Sequence, residues 1–188
     1  MLIYITRHGE SEYNVQDRIG GNPALTDNGL DYAQSLKKAI EGIDIATIYC
    51  STKSRTIQTM LPLLSKKTDV KMRPDLEEIN AGVCEGITYA EMALKYPEEY
   101  EKRKKDKLGY RYENGESYTD VIARVEGVVH EIIQEEKDTL VICHRAIARG
   151  MFVQLGVISA EDAPRFDVPL NTLIMVDTNT KSVKKIEL

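Results

Sequence analysis

Cysteine is scarce in this 188-residue sequence, and its three residues, Cys50, Cys84 and Cys143, form no C-x-x-C pair. An odd number of cysteines in a chain that opens without a signal peptide predicts free thiols in a reducing cytosol and excludes a disulfide-built scaffold. The apolar runs, such as TLVIC, are far too short to span a bilayer. The sequence also lacks repeats, low-complexity tracts and Pro/Gly-rich linkers, so we expect one domain over residues 1–188, in the cytoplasm.

An excess of basic residues is missing as well. The chain has 25 Lys and Arg against 30 Asp and Glu, a formal net charge of -5. A surface of this kind does not attract nucleic acid or an anionic membrane as a whole, so we expect neither as a partner. Any site for an anion must therefore be a local cluster of arginine, lysine and histidine.

What the chain does contain is an alternation of short apolar runs and longer amphipathic segments. The apolar runs predict strands at residues 2–6, 45–50, 70–73, 139–143, 171–177 and 182–187. Helical spacing predicts helices at 26–42, 53–64, 115–136 and 145–156, and a charged helical stretch at 88–107 that is broken at Pro97. We expect Thr26 to cap the first helix, and Ser51 or Thr52 to cap the second. The order predicts an α/β fold, a three-layer sandwich with helices on both faces of a mixed, mostly parallel sheet whose last two strands pair antiparallel.

Two of the three histidines directly follow apolar strands. His8 follows LIYIT and Arg7, and His144 follows TLVIC and precedes Arg145. Ligands of α/β sheets bind beyond the carboxyl ends of the strands, so two strands that each deliver a histidine and an arginine predict a positively charged pocket. Either histidine alone could simply end its strand with a local hydrogen bond, but the matching pair weakens that interpretation. His130 lies inside an amphipathic helix without such a context, and we expect it to be structural.

Arg55 lies in the first turns of the helix that follows the second predicted strand. The free N–H groups and the dipole of a helix N-terminus favour phosphate, and an arginine there adds a bidentate donor. A surface arginine in a salt bridge is the commoner alternative. Gly9, next to His8, lacks a side chain, so either a ligand or another backbone segment can approach it closely.

The segments RHGESEYN, SRTIQT and CHRAIAR, together with Glu78, resemble the histidine phosphatase (phosphoglycerate mutase-like) superfamily. Over nearly the whole chain, the sequence is also similar to the fructose-2,6-bisphosphatase domains of the bifunctional 6-phosphofructo-2-kinase/fructose-2,6-bisphosphatases. INAGVCEGITY and YRYENGESY are the most specific stretches, since generic superfamily members do not share them. The resemblance implies a phosphoglycerate mutase-like fold and a phosphatase that converts a sugar bisphosphate, fructose 2,6-bisphosphate, to fructose 6-phosphate and phosphate.

The resemblance also implies roles for residues at one catalytic centre. His8 would attack phosphorus and carry a phosphohistidine, and Glu78 would protonate the leaving group as general acid. Position alone would not distinguish Glu78 from Glu77; the resemblance does. The residues that would surround the phosphate oxygens are Arg7, Arg55 and His144. We expect no metal and no cofactor, because this preorganised positive charge stabilises the transition state.

The same resemblance implies a second set of residues, which would bind the substrate at the reacting phosphate, the sugar or the 6-phosphate. They are Asn14, Gly20, Tyr89, Arg103, Lys107, Tyr118, Arg145 and Arg149. A spacing of four predicts that Arg103 and Lys107 share one helix face, and that Arg145 and Arg149 share another. Arg145 departs from the family, which usually carries glutamine directly after the second histidine, and it adds a positive charge near the expected 6-phosphate site.

Three alternatives stay open at the level of the sequence: a broad-specificity histidine phosphatase, a phosphoglycerate mutase and a non-catalytic phosphosugar-binding module. INAGVCEGITY and the compact segment between Glu78 and His144 argue against a mutase. A binding module would be expected to have lost His8, Glu78 or His144. The sequence has no G-x-x-x-x-G-K-[ST] phosphate loop, so we do not expect it to make fructose 2,6-bisphosphate. We expect a phosphorylated sugar as its partner and a monomer or weak dimer.

Overall fold

A computed structural model describes residues 1–65 and 68–188 of the chain. Within these residues six strands form one sheet, in the order β3-β2-β4-β1-β5-β6. The strands are β1 (Leu2–Arg7), β2 (Thr47–Cys50), β3 (Asp69–Met72), β4 (Thr139–Cys143), β5 (Thr172–Asp177) and β6 (Val183–Glu187). Neighbours from β3 to β1 are parallel, whereas β5 runs antiparallel to both β1 and β6. The prediction of a mixed, mostly parallel sheet with an antiparallel final pair is confirmed.

The helices follow the predicted order along the chain. They are α1 (Glu12–Val15), α2 (Asp27–Ala39), α3 (Ser54–Met60), α4 (Tyr89–Lys95), α5 (Pro97–Lys105), α6 (Tyr118–Glu135) and α7 (Arg145–Gln154). Short 3-10 helices occur at Leu61–Leu63, Pro74–Leu76, Gly82–Cys84 and Ala163–Arg165. Pro97 separates α4 from α5 because it has no N–H to donate, and it opens α5 at a position where none is needed. Within the described part of the chain, every helix is too short or too polar to cross a membrane.

The alternation of side chains along the central strands produces the three layers. On one face of the sheet, Ile3 and Val141 pack against α6 and α7; on the other, Tyr4 and Leu140 pack against α2 and α3. Full burial of each such side chain contributes about 1.5–3 kcal/mol to folding. The predicted cap of α2 is confirmed, since Oγ1 of Thr26 accepts a hydrogen bond from a backbone N–H in the first turn. The predicted three-layer α/β sandwich is confirmed as well.

The parallel register brings the ends of β1, β2 and β4 to the same edge of the sheet. Arg7 pairs with Cys143, and the N–H of His8 donates to the carbonyl of Cys143 at 3.1 Å. On the other side of β4, the N–H of Ser51 donates to the carbonyl of Ile142, also at 3.1 Å. The residues that follow these three strands therefore lie side by side.

One predicted helix cap is wrong. The residue before α3 is Lys53, whose side chain makes no capping hydrogen bond. The hydroxyl of Ser51 contacts His144, and the hydroxyl of Thr52 donates to Glu77. Oγ of Ser51 also accepts from the N–H of Lys53 at 3.3 Å, but neither side chain accepts from an N–H within α3.

Candidate active site

The two histidines that follow β1 and β4 meet at this edge. Their ring centroids lie 5.1 Å apart, with the ring planes inclined by 57°. Nδ1 of His8 lies 2.7 Å from the carbonyl oxygen of Gly9, and Nε of Arg55 donates to Nε2 of His8 at 3.0 Å. Because an arginine nitrogen can only donate, Nε2 is the accepting nitrogen and Nδ1 carries the proton. The lone pair of His8 therefore lies on Nε2.

His144 forms the other half of the pair. Its Nε2 lies 2.9 Å from Oγ of Ser51, and its backbone immediately precedes α7. Within the described residues, two buried side-chain nitrogens make no hydrogen bond, Nδ1 of His144 and Nε of Arg7. Buried polar groups are normally paired in a protein core, so two buried nitrogens without hydrogen-bond partners are typical of a functional site.

Burial and neighbouring arginines keep both imidazoles neutral. Burial is the largest cause that lowers the pKa of His8 well below its usual value, followed by the charges of Arg55 and Arg7. Burial also lowers the pKa of His144, with a further contribution from Arg55 and then from His8. A neutral imidazole has the free electron pair that a nucleophile needs, so His8 is in its reactive form at neutral pH.

Two arginines supply positive charge at this centre. Nη1 of Arg7 donates to the carbonyl of Val168 at 3.0 Å, and Nη1 of Arg55 donates to the carbonyl of Gly21 at 2.9 Å. Burial, followed by the charge of Arg145, lowers the pKa of Arg7 to about 10, so this side chain stays charged at neutral pH. The name inner pocket is used below for His8, His144, Arg7, Arg55 and Ser51.

A cavity of about 640 Å³ adjoins the inner pocket and shares Arg7 with it. It is called the outer cavity below. The charged side chains that line it are Arg7, Arg103, Lys107, Arg145 and Arg149, against Asp17 and Glu78. This is the local cluster of cations that a chain of net charge -5 requires for an anion site.

Backbone carbonyls of one short segment, residues 164–168, orient three of these cations. Every second carbonyl of the segment accepts one hydrogen bond from a lysine or arginine nitrogen. The pairs are Lys107 Nζ with Pro164 at 2.9 Å, Arg149 Nε with Phe166 at 2.7 Å and Arg7 Nη1 with Val168 at 3.0 Å. A carbonyl has no net charge, so it fixes the direction of each cation and leaves the positive charge uncancelled.

Tyrosine hydroxyls accept hydrogen bonds from two of the arginines that line the outer cavity. Nε of Arg103 donates to the hydroxyl of Tyr112 at 2.6 Å and Nη2 to that of Tyr89 at 3.1 Å, and the guanidinium lies 4.7 Å from the centre of the Tyr89 ring. Nη1 of Arg149 donates to the hydroxyl of Tyr118 at 2.7 Å. Tyr89, Tyr112 and Tyr118 all line the outer cavity. The tyrosines therefore position two guanidinium groups in the lining of the outer cavity.

Arg145 differs from the other cations of the outer cavity. It is exposed, and within the described residues it makes no hydrogen bond or ion pair. Arg145 and Arg149 both lie on α7 and both line the cavity, as their spacing predicts. The prediction that Arg103 and Lys107 share one helix face is wrong, because α5 ends at Lys105 and Lys107 lies beyond it, although both residues line the cavity.

Glu78 lies on the irregular loop between the 3-10 helices Pro74–Leu76 and Gly82–Cys84, and it lines the outer cavity. Its Oε1 accepts hydrogen bonds from the N–H of Ile79 at 3.0 Å and from the N–H of Ala146 at 3.2 Å. Its carboxyl group therefore lies at the start of α7, two residues from His144. Glu77 instead pairs with Lys53, at 3.1 Å between Oε2 and Nζ, and does not line the cavity. The structure thus separates two carboxylates that sequence position alone leaves equivalent.

The remaining two predicted residues line the outer cavity near α1. Oδ1 of Asn14 accepts from the backbone N–H and the hydroxyl of Ser11, at 3.0 and 2.9 Å, which leaves the amide Nδ2 as a donor. Gly20 has φ +64, in the left-handed region that glycine adopts without strain. A side chain there would also collide with the carboxylate of Glu85.

Two residues that the sequence singles out serve the fold. A side chain at Gly9 would collide with the backbone of Gly29, so the close approach at Gly9 is made by α2. His130 is exposed on α6 and pairs with Gln134 at 2.9 Å, as a structural residue would.

Several parts of the site were not predicted from the sequence. Ser51 directly follows β2 at the same edge as the histidines, so its position could have revealed it as the partner of His144. Tyr112 lies within YRYENGESY but was not assigned to Arg103. The carbonyls of residues 164–168 have no sequence signal, because every residue carries a backbone carbonyl.

Comparisons with known proteins agree with this geometry. The sequence profile of the histidine phosphatase superfamily (branch 1) matches residues 3–187. The chain is 39% identical over 185 residues to a fructose-2,6-bisphosphatase of Saccharomyces cerevisiae, covering 97% of this chain and 40% of that protein. It is 41% identical over 187 residues to a 6-phosphofructo-2-kinase/fructose-2,6-bisphosphatase of Arabidopsis thaliana, covering 97% of this chain and 25% of that protein. The chain thus spans less than half the length of these curated relatives.

Among solved structures, the alpha-ribazole phosphatase of Shigella flexneri superposes with a TM-score of 0.88 over 100% of this chain and 96% of that one, at 24% identity. At this identity the superposition shows a shared fold. The sequence profile covers nearly the whole chain, and it includes both strand-end histidines. The chain belongs to the histidine phosphatase superfamily.

Proposed function

We propose that the chain is a phosphatase that hydrolyses a sugar bisphosphate, most directly fructose 2,6-bisphosphate to fructose 6-phosphate and phosphate. The observation that carries the proposal is the pairing of two buried, neutral imidazoles with an adjoining cavity that is lined by five cations. The inner pocket would take the phosphate that reacts, and the outer cavity would hold the sugar and its second phosphate. The names of the two curated relatives support this choice of substrate.

In the proposed first step, Nε2 of His8 forms a bond to phosphorus while the bond between phosphorus and the sugar oxygen breaks. Arg55, which donates to Nε2 of His8 in the structure, would turn this N–H to a phosphate oxygen and so release the lone pair. The leaving oxygen takes a proton from the carboxyl group of Glu78. The products of the step are a phosphohistidine, the free sugar hydroxyl and a Glu78 carboxylate.

In the proposed second step, water attacks the phosphohistidine. The water oxygen bonds to phosphorus while the bond from phosphorus to Nε2 breaks. The Glu78 carboxylate takes the proton that the water releases. Inorganic phosphate leaves, and His8 and Glu78 return to their starting forms. The groups proposed to stabilise charge on the phosphate oxygens in both steps are Arg7, Arg55, His144 and Asn14.

The proposed residues of the outer cavity divide by the part of the substrate they meet. Gly20 would contact the sugar through its backbone. The groups proposed to hold the second phosphate are Tyr89, Arg103, Lys107, Tyr118, Arg145 and Arg149. Because carbonyls of residues 164–168 orient Lys107 and Arg149 without neutralising them, the second phosphate could meet these two cations with little rearrangement.

We also propose a single domain over residues 1–188 and a cytoplasmic setting. One continuous sheet with a core on each face supports the first. The three cysteines are all unpaired and buried, as is usual in a reducing compartment, which supports the second.

A substrate panel tests the proposal. The values of kcat/KM for fructose 2,6-bisphosphate, fructose 1,6-bisphosphate, 3-phosphoglycerate and p-nitrophenyl phosphate are compared at one pH and salt concentration. The proposal expects the highest value for fructose 2,6-bisphosphate, with release of one equivalent of inorganic phosphate. Isomerisation of 3-phosphoglycerate without phosphate release, or binding of the sugar bisphosphate without turnover, would overturn it.

A further inference from the structure

The loop that carries Glu78 has no regular structure of its own, which raises the question of what fixes its backbone. Residues 77–81 lie between two 3-10 helices. Leu76, just before them, is fully buried in the core against α6 and α7 and anchors one end of the loop. Functional groups on loops need support from other residues to keep a productive geometry. Ile79 and the fully buried Ala81 pack into apolar clusters on the far side, but these contacts leave the carbonyl of Glu77 and the backbone of Asn80 to be held by polar groups.

Arg124, on α6, supplies that anchor on the near side of Glu78. Its Nη1 donates to the carbonyl of Asp75 at 2.7 Å and to the carbonyl of Glu77 at 3.0 Å. The second carbonyl belongs to the residue directly before Glu78. One guanidinium nitrogen therefore ties together the backbone on the approach to this residue.

The opposite edge of the same guanidinium extends the anchor to the far side. Nε and Nη2 of Arg124 donate to the two carboxylate oxygens of Glu116, at 2.8 and 2.9 Å. Oε2 of Glu116 also accepts from the N–H of Asn80 at 2.9 Å, and the N–H of Glu116 donates to the carbonyl of Asn80 at 2.8 Å. Asn80 lies two residues after Glu78. The pair thus clamps the loop before and after the proposed general acid.

We infer that Arg124 is a positioning residue for Glu78, and that it acts through Glu116 and the backbone of residues 75–80. The inference rests on the proposed function, in which Glu78 protonates the leaving oxygen. An isolated ion pair of arginine and glutamate at the surface contributes little to stability. Here, however, the side chains of Arg124 and Glu116 are only 23% and 21% exposed, and two hydrogen bonds join them to each other. Three more bind the pair to one loop, at the carbonyls of Asp75 and Glu77 and at the N–H of Asn80.

Arg124→Met tests the inference with two substrates that differ in their leaving group. A sugar oxygen needs a proton when it leaves, whereas p-nitrophenolate leaves as a stable anion and does not. Rapid-quench measurement of the first turnover isolates the step in which the leaving group departs. We expect the rate with fructose 2,6-bisphosphate to fall roughly 10- to 100-fold, as for a catalytic group that is displaced by about 1 Å, while the rate with p-nitrophenyl phosphate changes far less. An equal change for both substrates, or none for either, would overturn the inference.

A double-mutant cycle asks whether Arg124 acts through Glu78. If it does, Arg124→Met should add almost nothing to the loss already caused by Glu78→Gln, because the group it positions is gone. Multiplicative losses in the double variant would show an effect that bypasses Glu78 and would contradict the inference. If the wild-type protein turns over neither substrate, the proposed function fails instead.

Two further variants keep the test valid if Arg124→Met folds poorly. Arg124→Lys keeps the charge but loses the planar fork, and should give a smaller loss with the same dependence on the leaving group. Lys71→Met is the control: it removes ion pairs with Glu131 and Glu135 on the same helix. None of the hydrogen bonds of Lys71 Nζ goes to residues 75–80. Lys71→Met should leave the ratio of the two rates at the wild-type value.

Discussion

The inner pocket and the outer cavity are both cationic, but they are built differently. In the inner pocket, backbone carbonyls orient Arg7 and Arg55, and side chains also hold one another. Arg55 donates to His8, and Ser51 contacts His144, all nearly inaccessible to solvent. In the outer cavity, backbone carbonyls and tyrosines hold the cations, and one of them, Arg145, is held by neither. The first construction fixes reacting atoms; the second presents charge to whatever ligand enters. Changes in the inner pocket should therefore affect every substrate, and changes at Arg103, Lys107, Arg145 or Arg149 only those with a second anionic group.

The largest expected effect comes from the inner pocket. His8→Ala removes the proposed nucleophile, so turnover of both sugar bisphosphate and p-nitrophenyl phosphate should fall to background, a loss of roughly a million-fold. The measurement is kcat for both substrates, with thermal unfolding to show that the protein still folds. Because His8 belongs to neither apolar core, we expect unfolding to remain cooperative. Substantial turnover by the folded variant would remove His8 from the mechanism.

Glu78→Gln should give the second largest effect, and the loss of rate should differ between the two substrates. The amide oxygen can still accept from the N–H of Ala146, but no proton is available for the leaving oxygen. We expect kcat for the sugar bisphosphate to fall about 10²- to 10⁴-fold, and the first turnover of p-nitrophenyl phosphate to fall much less. Glu77→Gln, one residue earlier on the same loop, is the matched control and should leave kcat nearly unchanged. A larger loss of kcat in Glu77→Gln than in Glu78→Gln would assign the role of general acid to Glu77.

Arg145→Gln should act on the outer cavity alone. Loss of one charged contact to the second phosphate should raise KM for the sugar bisphosphate about 10- to 100-fold, with little change for p-nitrophenyl phosphate. Lys104→Gln provides a control of equal charge change on α5, at a side chain that is 68% exposed and does not line the cavity. Equal effects of Arg145→Gln on both substrates would place Arg145 outside the site of the second phosphate.

The smallest predicted effect is a dependence on pH at Lys107. Burial, followed by the charges of Arg103, Arg149, Arg145 and Arg165, lowers the pKa of Lys107 to about 8. Lys107 is therefore charged below about pH 8 and loses its charge above it. We expect kcat/KM for the sugar bisphosphate to decline as the pH rises through 8, since this ratio reports on the free enzyme.

Lys107→Met should remove this decline while lowering kcat/KM at pH 7. The profile for p-nitrophenyl phosphate, which has no second phosphate, should lack the step at pH 8 in both proteins. The same step with both substrates would assign it to a group of the inner pocket.

The difference in construction also explains what the sequence could predict. His8 and His144 each follow an apolar run, and parallel strands deliver their ends to one edge, so their meeting follows from the strand pattern. The sheet and its helices follow from the same periodicity. Ser51 was misassigned because a serine after a strand and before a helix has the local pattern of a helix cap, whereas tertiary contact with His144 decides its role.

The residues of the outer cavity were harder to predict from the sequence. Its cations come from β1, α5, the turn beyond α5 and α7. Residues 164–168 orient the cations of β1, the turn and α7, whereas tyrosine hydroxyls orient Arg103 of α5. No local sequence pattern predicts such a convergence, and the prediction of these residues rests on the resemblance to a family. Arg124 carried no signal at all, since an arginine on an amphipathic helix normally faces solvent.

The most direct test of the central claim is to trap the covalent intermediate. The protein is mixed briefly with fructose 2,6-bisphosphate radiolabelled on the 2-phosphate, denatured, digested and mapped. The account predicts a label that is lost in acid, stable in base and attached to the peptide that contains His8, with none in His8→Ala. Turnover without any protein-bound label, or a label on a peptide that lacks His8, would contradict it.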